Sequence, residues 1–148
     1  MPLQHNFNHT AFQPRWITQK IDSDGITYLE NLGYYLCDKK DEKDRPGFNA
    51  VTTSQLRNIF SEVKRIEVKL AGDEKSWDDM ATAVLLLQPK IAYNTARVLA
   101  KSHNSRMKDL RAILEKALTS VKDADDFRRF SQFMEGIIAY HKVYGGKD

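Results

Sequence analysis

The chain has 148 residues, 41% of them hydrophobic, and carries 23 Lys or Arg against 20 Asp or Glu, a formal net charge of +3. This length suffices for one domain whose core needs neither disulfides nor metal ions. The single cysteine excludes an internal disulfide, nothing resembles a secretory signal, and no apolar run approaches the roughly 20 residues of a membrane span. We therefore expect a cytoplasmic protein without a membrane partner.

Positive charge is concentrated in the second part of the sequence. Residues 1–46 carry six basic and seven acidic side chains, whereas residues 47–148 carry 17 basic and 13 acidic ones. The net charges of −1 and +4 permit a polyanionic partner without requiring one.

The first 21 residues are polar, with scattered aromatic side chains and two prolines, and follow neither a helical nor a strand period. We expect residues 1–21 to form a flexible arm and residues 22–146 to form the helical domain. His5 and His9 are four residues apart, but no acidic or Cys partner is near them in the sequence. A solvated tail is therefore a better interpretation than a metal site.

The first predicted helix begins with an N-cap at Asp22 to Asp24 and has Gly33 as an internal weak point. The mixed-charge run that follows it ends at Pro46 and Gly47 and lacks apolar residues to bury. Residues 38–50 are therefore predicted to form a mobile loop.

Thr52 and Gln55 have the spacing of a capping box, and apolar residues then repeat at helical spacing as far as Ala71. Arg57 and Lys64 form a polar row beside that apolar face. This row is either a solvated flank or part of a binding surface.

Two further start signals follow. Ser76 with Asp79 predicts another capped helix, and Pro89 predicts a sharp corner after it. Asp123 caps a last helix with a broad aromatic face, in which His141 is expected to be a hydrogen-bonded structural residue. With no strand pattern in the sequence, the expected fold is an all-α, single-domain bundle of about five helices.

The segment 89–121 is basic on one helical face and apolar on the other. In an unbroken helix its basic face would contain Lys90, Arg97, Lys101 and Lys108, with Arg111 as a weaker member. The phase persists through Ser102 to Ser105, which favours one long helix. If those residues form a turn instead, two antiparallel helices would present a compact basic patch.

The sequence lacks the motifs of common catalytic sites. It has no Walker loop, no dinucleotide-binding glycine pattern and no paired Glu and His motif for a di-metal site. We therefore expect a binding protein with no catalytic residues and no cofactor.

Three segments of the sequence form a combination that is specific enough to compare with known families: TTSQLRNIF from Thr52, LLLQPKIAYNTARV from Leu85 and RFSQFMEGIIAYHKVYGG from Arg129. In this order and spacing they resemble the small helical subunit of the type III-A CRISPR effector, the Csm complex. The resemblance implies a non-catalytic antiviral subunit that is present in several copies, packs along a filament of larger subunits and faces the guide RNA and target RNA.

In that role the basic faces would contact RNA backbone, and base pairing by the guide would supply specificity. Arg111 and Arg128 are secondary candidates for these contacts. The main candidates are Arg57, Lys64, Lys90, Arg97, Lys101 and Lys108. The alternative is a structural helical adaptor that joins protein partners and does not bind nucleic acid.

Overall fold

The computed structural model describes residues 7–72 and 75–148, and in this part of the chain it shows helices, turns and loops but no strand. A short 3-10 helix, His9–Ala11, comes first. The α-helices are α1 (Arg15–Thr18), α2 (Ser23–Leu36), α3 (Thr53–Ala71), α4 (Trp77–Leu85), α5 (Leu87–Lys101), α6 (Met107–Thr119) and α7 (Ala124–Val143). The predicted all-α bundle is confirmed, with six described helices of nine residues or more.

Helix α7 forms the centre of the bundle, because its broad apolar arc packs against several neighbours. Five of its side chains are fully buried: Phe127, Phe130, Phe133, Met134 and Ile137. Tyr28 packs against Phe133, and Gly33, more than one turn further along α2, lies against Tyr140. Helices α2 and α7 therefore run parallel.

Helix α3 runs antiparallel to α7. Val51, just before α3, lies beside His141, whereas Lys64 in the second half of α3 reaches Glu135, which is earlier in α7. Helices α3 and α5 are likewise antiparallel, because the beginning of α3 lies beside the end of α5. The antiparallel packing of α3 and α5 places side chains of the two helices next to each other on the surface of the bundle.

The predicted helix starts are confirmed. Thr52 and Gln55 form a complete capping box at α3, and Ser76 and Asp79 form another at α4. Pro89 lies in the first turn of α5, where its missing N–H removes no helical hydrogen bond. These caps form because each short polar side chain satisfies backbone donors at its own helix end.

The continuous helix predicted across the basic segment is wrong, because α5 ends at Lys101 and α6 begins at Met107. Between them, the buried Ser105 hydroxyl accepts the Met107 N–H at 3.2 Å, and the Arg106 N–H donates to the Asn49 carbonyl at 2.9 Å. Both N–H groups would need carbonyl partners four residues back in a continuous helix. The two helices instead pack against each other, so their basic residues do not follow one line.

The described residues before α2, 7–22, include several buried apolar side chains, and the flexibility expected of residues 1–21 stays a prediction. Phe12, Trp16 and Ile17 are buried, and Arg129 donates to the Ile17 carbonyl at 2.5 Å. These apolar side chains have no regular period, yet they cover one end of the α2 and α7 pair. His5 lies outside the described residues, as do the others before residue 7.

Both ends of the predicted mobile loop are attached to the bundle. The buried Lys39 ammonium donates to the Tyr144 carbonyl at 3.0 Å, and the Asn49 N–H donates to the Asp38 carboxylate at 2.9 Å. Asp38 also pairs with Arg106 at 2.9 Å. The mobility of residues 38–50 stays a prediction.

His141 makes the hydrogen bond expected of a structural histidine. Its side chain is 1% exposed, and its Nε2 lies 2.7 Å from the Val51 carbonyl oxygen. Because a carbonyl can only accept, Nε2 donates this bond. Burial lowers the pKa of His141, so the neutral ring is the form that stabilises the fold.

We expect stability to fall as the pH drops below about 6.5, because the unfolded chain then binds a proton that folded His141 resists. The variant His141→Gln keeps an N–H donor for Val51 and does not titrate. Its free energy of unfolding, measured in urea, should therefore depend less steeply on pH between 7 and 5. Equal pH dependence in the two proteins would contradict this role.

Candidate nucleic-acid interface

A shallow groove runs between α3 and α5 on the surface of the bundle. Helix α3 contributes polar residues that flank its buried face, and α5 contributes the basic residues of its exposed side. We call this feature the α3–α5 groove. Its polar, charged and aromatic lining residues are Gln55, Asn58, Ser61, Glu62, Lys90, Tyr93, Asn94, Arg97 and Lys101, and apolar residues such as Val98 and Met107 also line it.

Arg97 and Lys101 supply the free positive charge of the groove. They are four residues apart on α5, so their side chains project from the same side of the helix, one turn apart. Both are exposed, and neither forms an ion pair or hydrogen bond with a described residue. Arg97 makes a cation-π contact, with its guanidinium carbon 5.8 Å from the centre of the Tyr93 ring.

Lys90 also lines the groove, but its charge is already compensated. Its ammonium lies 3.0 Å from the Glu62 carboxylate, which also binds Arg65. The hydrogen bond from Lys90 is the main reason that the pKa of Glu62 lies below its usual range. Lys90 therefore bridges α3 and α5 as well as contributing to the electrostatic field of the groove.

Lys64 lies on the other flank of α3, facing α7. It pairs with Glu135 at 2.9 Å and with Glu67 at 3.3 Å, and the Glu135 hydrogen bond is the main cause of its raised pKa. Arg57, two turns earlier on the same flank, is exposed and has no partner among the described residues. The predicted row of two basic residues thus contains one paired and one unpaired charge.

Lys108 belongs to α6 and does not line the groove, although the preceding Met107 does. It is exposed and has no partner among the described residues. Arg111 pairs with Glu115 at 2.7 Å. The helix break therefore separates Lys108 and Arg111 from the α5 residues with which they were expected to align.

Sequence reasoning missed the polar wall that α3 contributes to the groove. Gln55, Asn58 and Glu62 follow one another at intervals of three and four residues, along one side of the apolar face of the helix. This spacing was a usable signal, but Lys and Arg alone were considered as candidates. The side-chain amides of Asn58 and Asn94 form no hydrogen bond with any described residue.

Metal and membrane features are not found in the described part of the chain. Among residues 7–72 and 75–148, no three His, Cys, Asp or Glu side chains come together as a metal site would require. Over the same residues, no helix combines the length and hydrophobicity needed to cross a membrane.

These features define a small all-helical protein with a polar, partly basic groove between two antiparallel helices. Residues 36–147 match the family described as Csm2 Type III-A. The chain is also 34% identical over 109 residues to the CRISPR system Cms protein Csm2 of Streptococcus thermophilus, covering 72% of this chain and 84% of that protein.

The chain therefore belongs to the Csm2 family of type III-A CRISPR systems, and it is a small subunit of the Csm effector complex. This confirms the resemblance carried by the three sequence segments. The match begins near the end of α2 and includes the whole α3–α5 groove.

Proposed function

We propose that this chain is a non-catalytic, RNA-associated subunit that holds the backbone of the guide or target RNA in the α3–α5 groove. The observation that carries this proposal is the unpaired state of Arg97 and Lys101 in a groove with polar walls. Cations without a carboxylate partner can neutralise phosphates without first breaking an internal ion pair. Such contacts retain RNA independently of its sequence, and guide pairing supplies the specificity.

The six predicted basic residues contribute unequally in this proposal. Arg97 and Lys101 contact phosphates directly, whereas Arg57 and Lys108 lie outside the groove and add exposed positive charge that no described residue compensates. Lys64 and Lys90 chiefly hold neighbouring helices together, because each is already bound to a carboxylate of the chain. Their replacement should disturb packing as well as charge.

Contacts with other proteins of the complex are part of the same proposal. Leu85 and Leu86, at the corner between α4 and α5, are 64% and 50% exposed. Adjacent exposed leucines are suited to burial against another subunit or another copy of this chain. We propose that several copies pack along the effector filament in the cytoplasm, with the groove directed toward the RNA.

A structural adaptor without RNA contacts is the second candidate. The ion pairs of Lys64 and Lys90 favour it, because part of the predicted basic surface is neutralised within the chain. The adaptor would still use the exposed apolar corner. It differs from the RNA-associated subunit in predicting no salt-sensitive affinity for RNA.

Replacing Arg97 and Lys101 together with alanine tests the leading proposal. We expect affinity for single-stranded RNA to fall roughly tenfold at low salt, by similar factors for different sequences. Two lost phosphate contacts should also flatten the slope of log affinity against log salt by about 1.4. Fluorescence anisotropy over a salt series measures both quantities.

The matched control replaces Lys116 and Lys142, which are exposed and lie outside the groove, with alanine. It removes the same net charge, so it should retain most of the affinity and the salt dependence.

Equal losses of RNA affinity in both double variants would indicate a general charge effect and reject the groove as the binding site. Loss of helicity in the first variant, seen by circular dichroism, would make Arg97 and Lys101 structural. Absence of wild-type binding at low salt, and of guide RNA retention in the copurified complex, would favour the adaptor.

A further inference from the structure

The end of the α3–α5 groove nearest Lys90 contains an exposed aromatic ring. Tyr93 is 63% exposed, and its hydroxyl forms no hydrogen bond with a described residue. Tyr28 and Tyr34, by contrast, are buried in the bundle. Tyr93 instead presents a flat apolar surface inside a polar groove.

Two side-chain amides lie on the walls beside this ring. Asn58 comes from α3 and Asn94 from α5, and both line the same end of the groove as Tyr93. Neither amide has a hydrogen-bonding partner among the described residues. Each offers two N–H donors and one carbonyl acceptor, which is the combination that recognises the edges of nucleobases.

The charges around Tyr93 favour a neutral group at the ring and an anion one turn away. Lys90 is compensated by Glu62 at 3.0 Å, so this end of the groove has little free positive charge. Arg97, with its guanidinium 5.8 Å from the ring centre, has no carboxylate partner among the described residues. A nucleotide has this layout, since a flat neutral base is attached to a charged phosphate.

We propose that Tyr93 stacks on one unpaired nucleobase, that Asn58 and Asn94 bind the edge of that base, and that Arg97 binds an adjoining phosphate. This inference rests on the proposed RNA-associated function and adds a base-binding site to the backbone contacts. An unpaired base is required, because the bases of a continuous duplex are stacked on each other and do not present a free face. The site tolerates different bases, because every base has a face that can stack.

The test compares Tyr93→Leu with Tyr93→Phe, which keeps the aromatic ring. The probes are a single-stranded RNA and a fully paired RNA duplex with the same number of phosphates. Tyr93→Leu should bind the single strand about tenfold more weakly, whereas Tyr93→Phe should bind nearly as well as the wild type. The salt slope should not change, because no charge is removed.

A single-stranded RNA containing 2-aminopurine reports stacking directly. Its fluorescence should be quenched on binding to the wild type and to Tyr93→Phe, but much less with Tyr93→Leu. Phe48→Leu is the matched control, since Phe48 is an exposed aromatic residue that does not line the groove. This control should leave affinity and quenching unchanged.

Two results would overturn the base-binding site while leaving the proposed function intact. One is salt-dependent RNA binding that is equally strong in the wild type and in Tyr93→Leu. The other is an equal loss of single-stranded and duplex affinity in Tyr93→Leu. Failure of the wild type to bind either RNA at low salt would instead reject the proposed function, and the base-binding site with it.

Discussion

Replacing Arg106 with alanine is expected to lower the free energy of unfolding by about 3 kcal/mol. The Arg106 guanidinium pairs with Asp38 at 2.9 Å, donates to the Tyr35 carbonyl at 2.6 Å and lies 4.1 Å from the centre of the Tyr35 ring. The side chains of Arg106 and Asp38 are only 13% and 16% exposed. Removal of the cation leaves the nearly buried Asp38 carboxylate with the Asn49 N–H as its one remaining hydrogen-bond donor among the described residues, which is a costly arrangement.

Urea unfolding monitored by circular dichroism measures this effect. The matched control is Arg111→Ala, which removes an arginine from the more exposed pair with Glu115 and should cost less than about 1 kcal/mol. Arg106→Lys should fall between the two, because an ammonium keeps the charge but cannot reproduce the planar contacts with Asp38 and Tyr35. Similar stabilities for Arg106→Ala and Arg111→Ala would show that the Arg106 contacts contribute little.

Arg106 also shows what a charge pattern leaves undetermined. In the sequence, Arg106 lies outside the basic helical face of the segment 89–121, and no neighbouring residue indicated which side chain would pair with it. Asp38 is 68 positions away in the numbering, and the pair forms only because the loop before α3 packs beside the start of α6. The same loop helps to explain the helix break, since the Arg106 N–H donates to the Asn49 carbonyl instead of the Ser102 carbonyl four residues earlier.

Local signals were sufficient for the helix starts. The capping boxes at Thr52 and Ser76 involve residues three apart, so the interacting groups can be identified in the sequence. The apolar arc of α7 was also predictable, because five fully buried residues follow the helical period. Between Lys101 and Met107 the sequence favoured a continuous helix and left a turn as the alternative, because the hydrogen bonds of the break depend partly on a distant loop.

The candidate site likewise has one part that the sequence predicts and another that depends on contacts between helices. Sequence was enough to nominate Arg97 and Lys101 as basic residues on one side of a helix. It was not enough to distinguish them from Lys64 and Lys90, whose carboxylate partners lie on other helices. A basic side chain is available to a partner only if no carboxylate of the folded chain already pairs with it. A count of basic residues therefore overestimates the positive charge that a partner encounters.

Gly33→Ala is expected to lower the free energy of unfolding by about 3 kcal/mol, although helix propensity alone predicts the opposite. A methyl group at Gly33 would lie 2.5 Å from Tyr140 Cβ and 2.8 Å from the His141 backbone nitrogen. Both distances are far below van der Waals contact, and backbone atoms within α7 cannot move independently. Helices α2 and α7 would have to separate along much of their shared interface, which includes the ring of Tyr28.

Gly136→Ala is the informative comparison, because it adds a methyl group to the same interface from the opposite helix. That methyl group would meet Leu29 Cδ1 at 2.6 Å, the end of a side chain that can rotate. Alanine gains up to about 1 kcal/mol over glycine within a helix, so this gain should offset most of the repacking cost at Gly136. At Gly33 the gain cannot offset a collision with backbone. In urea, the free energy of unfolding should therefore be clearly higher for Gly136→Ala than for Gly33→Ala. A Gly33→Ala protein more stable than the wild type would show that α2 and α7 are less closely packed than described.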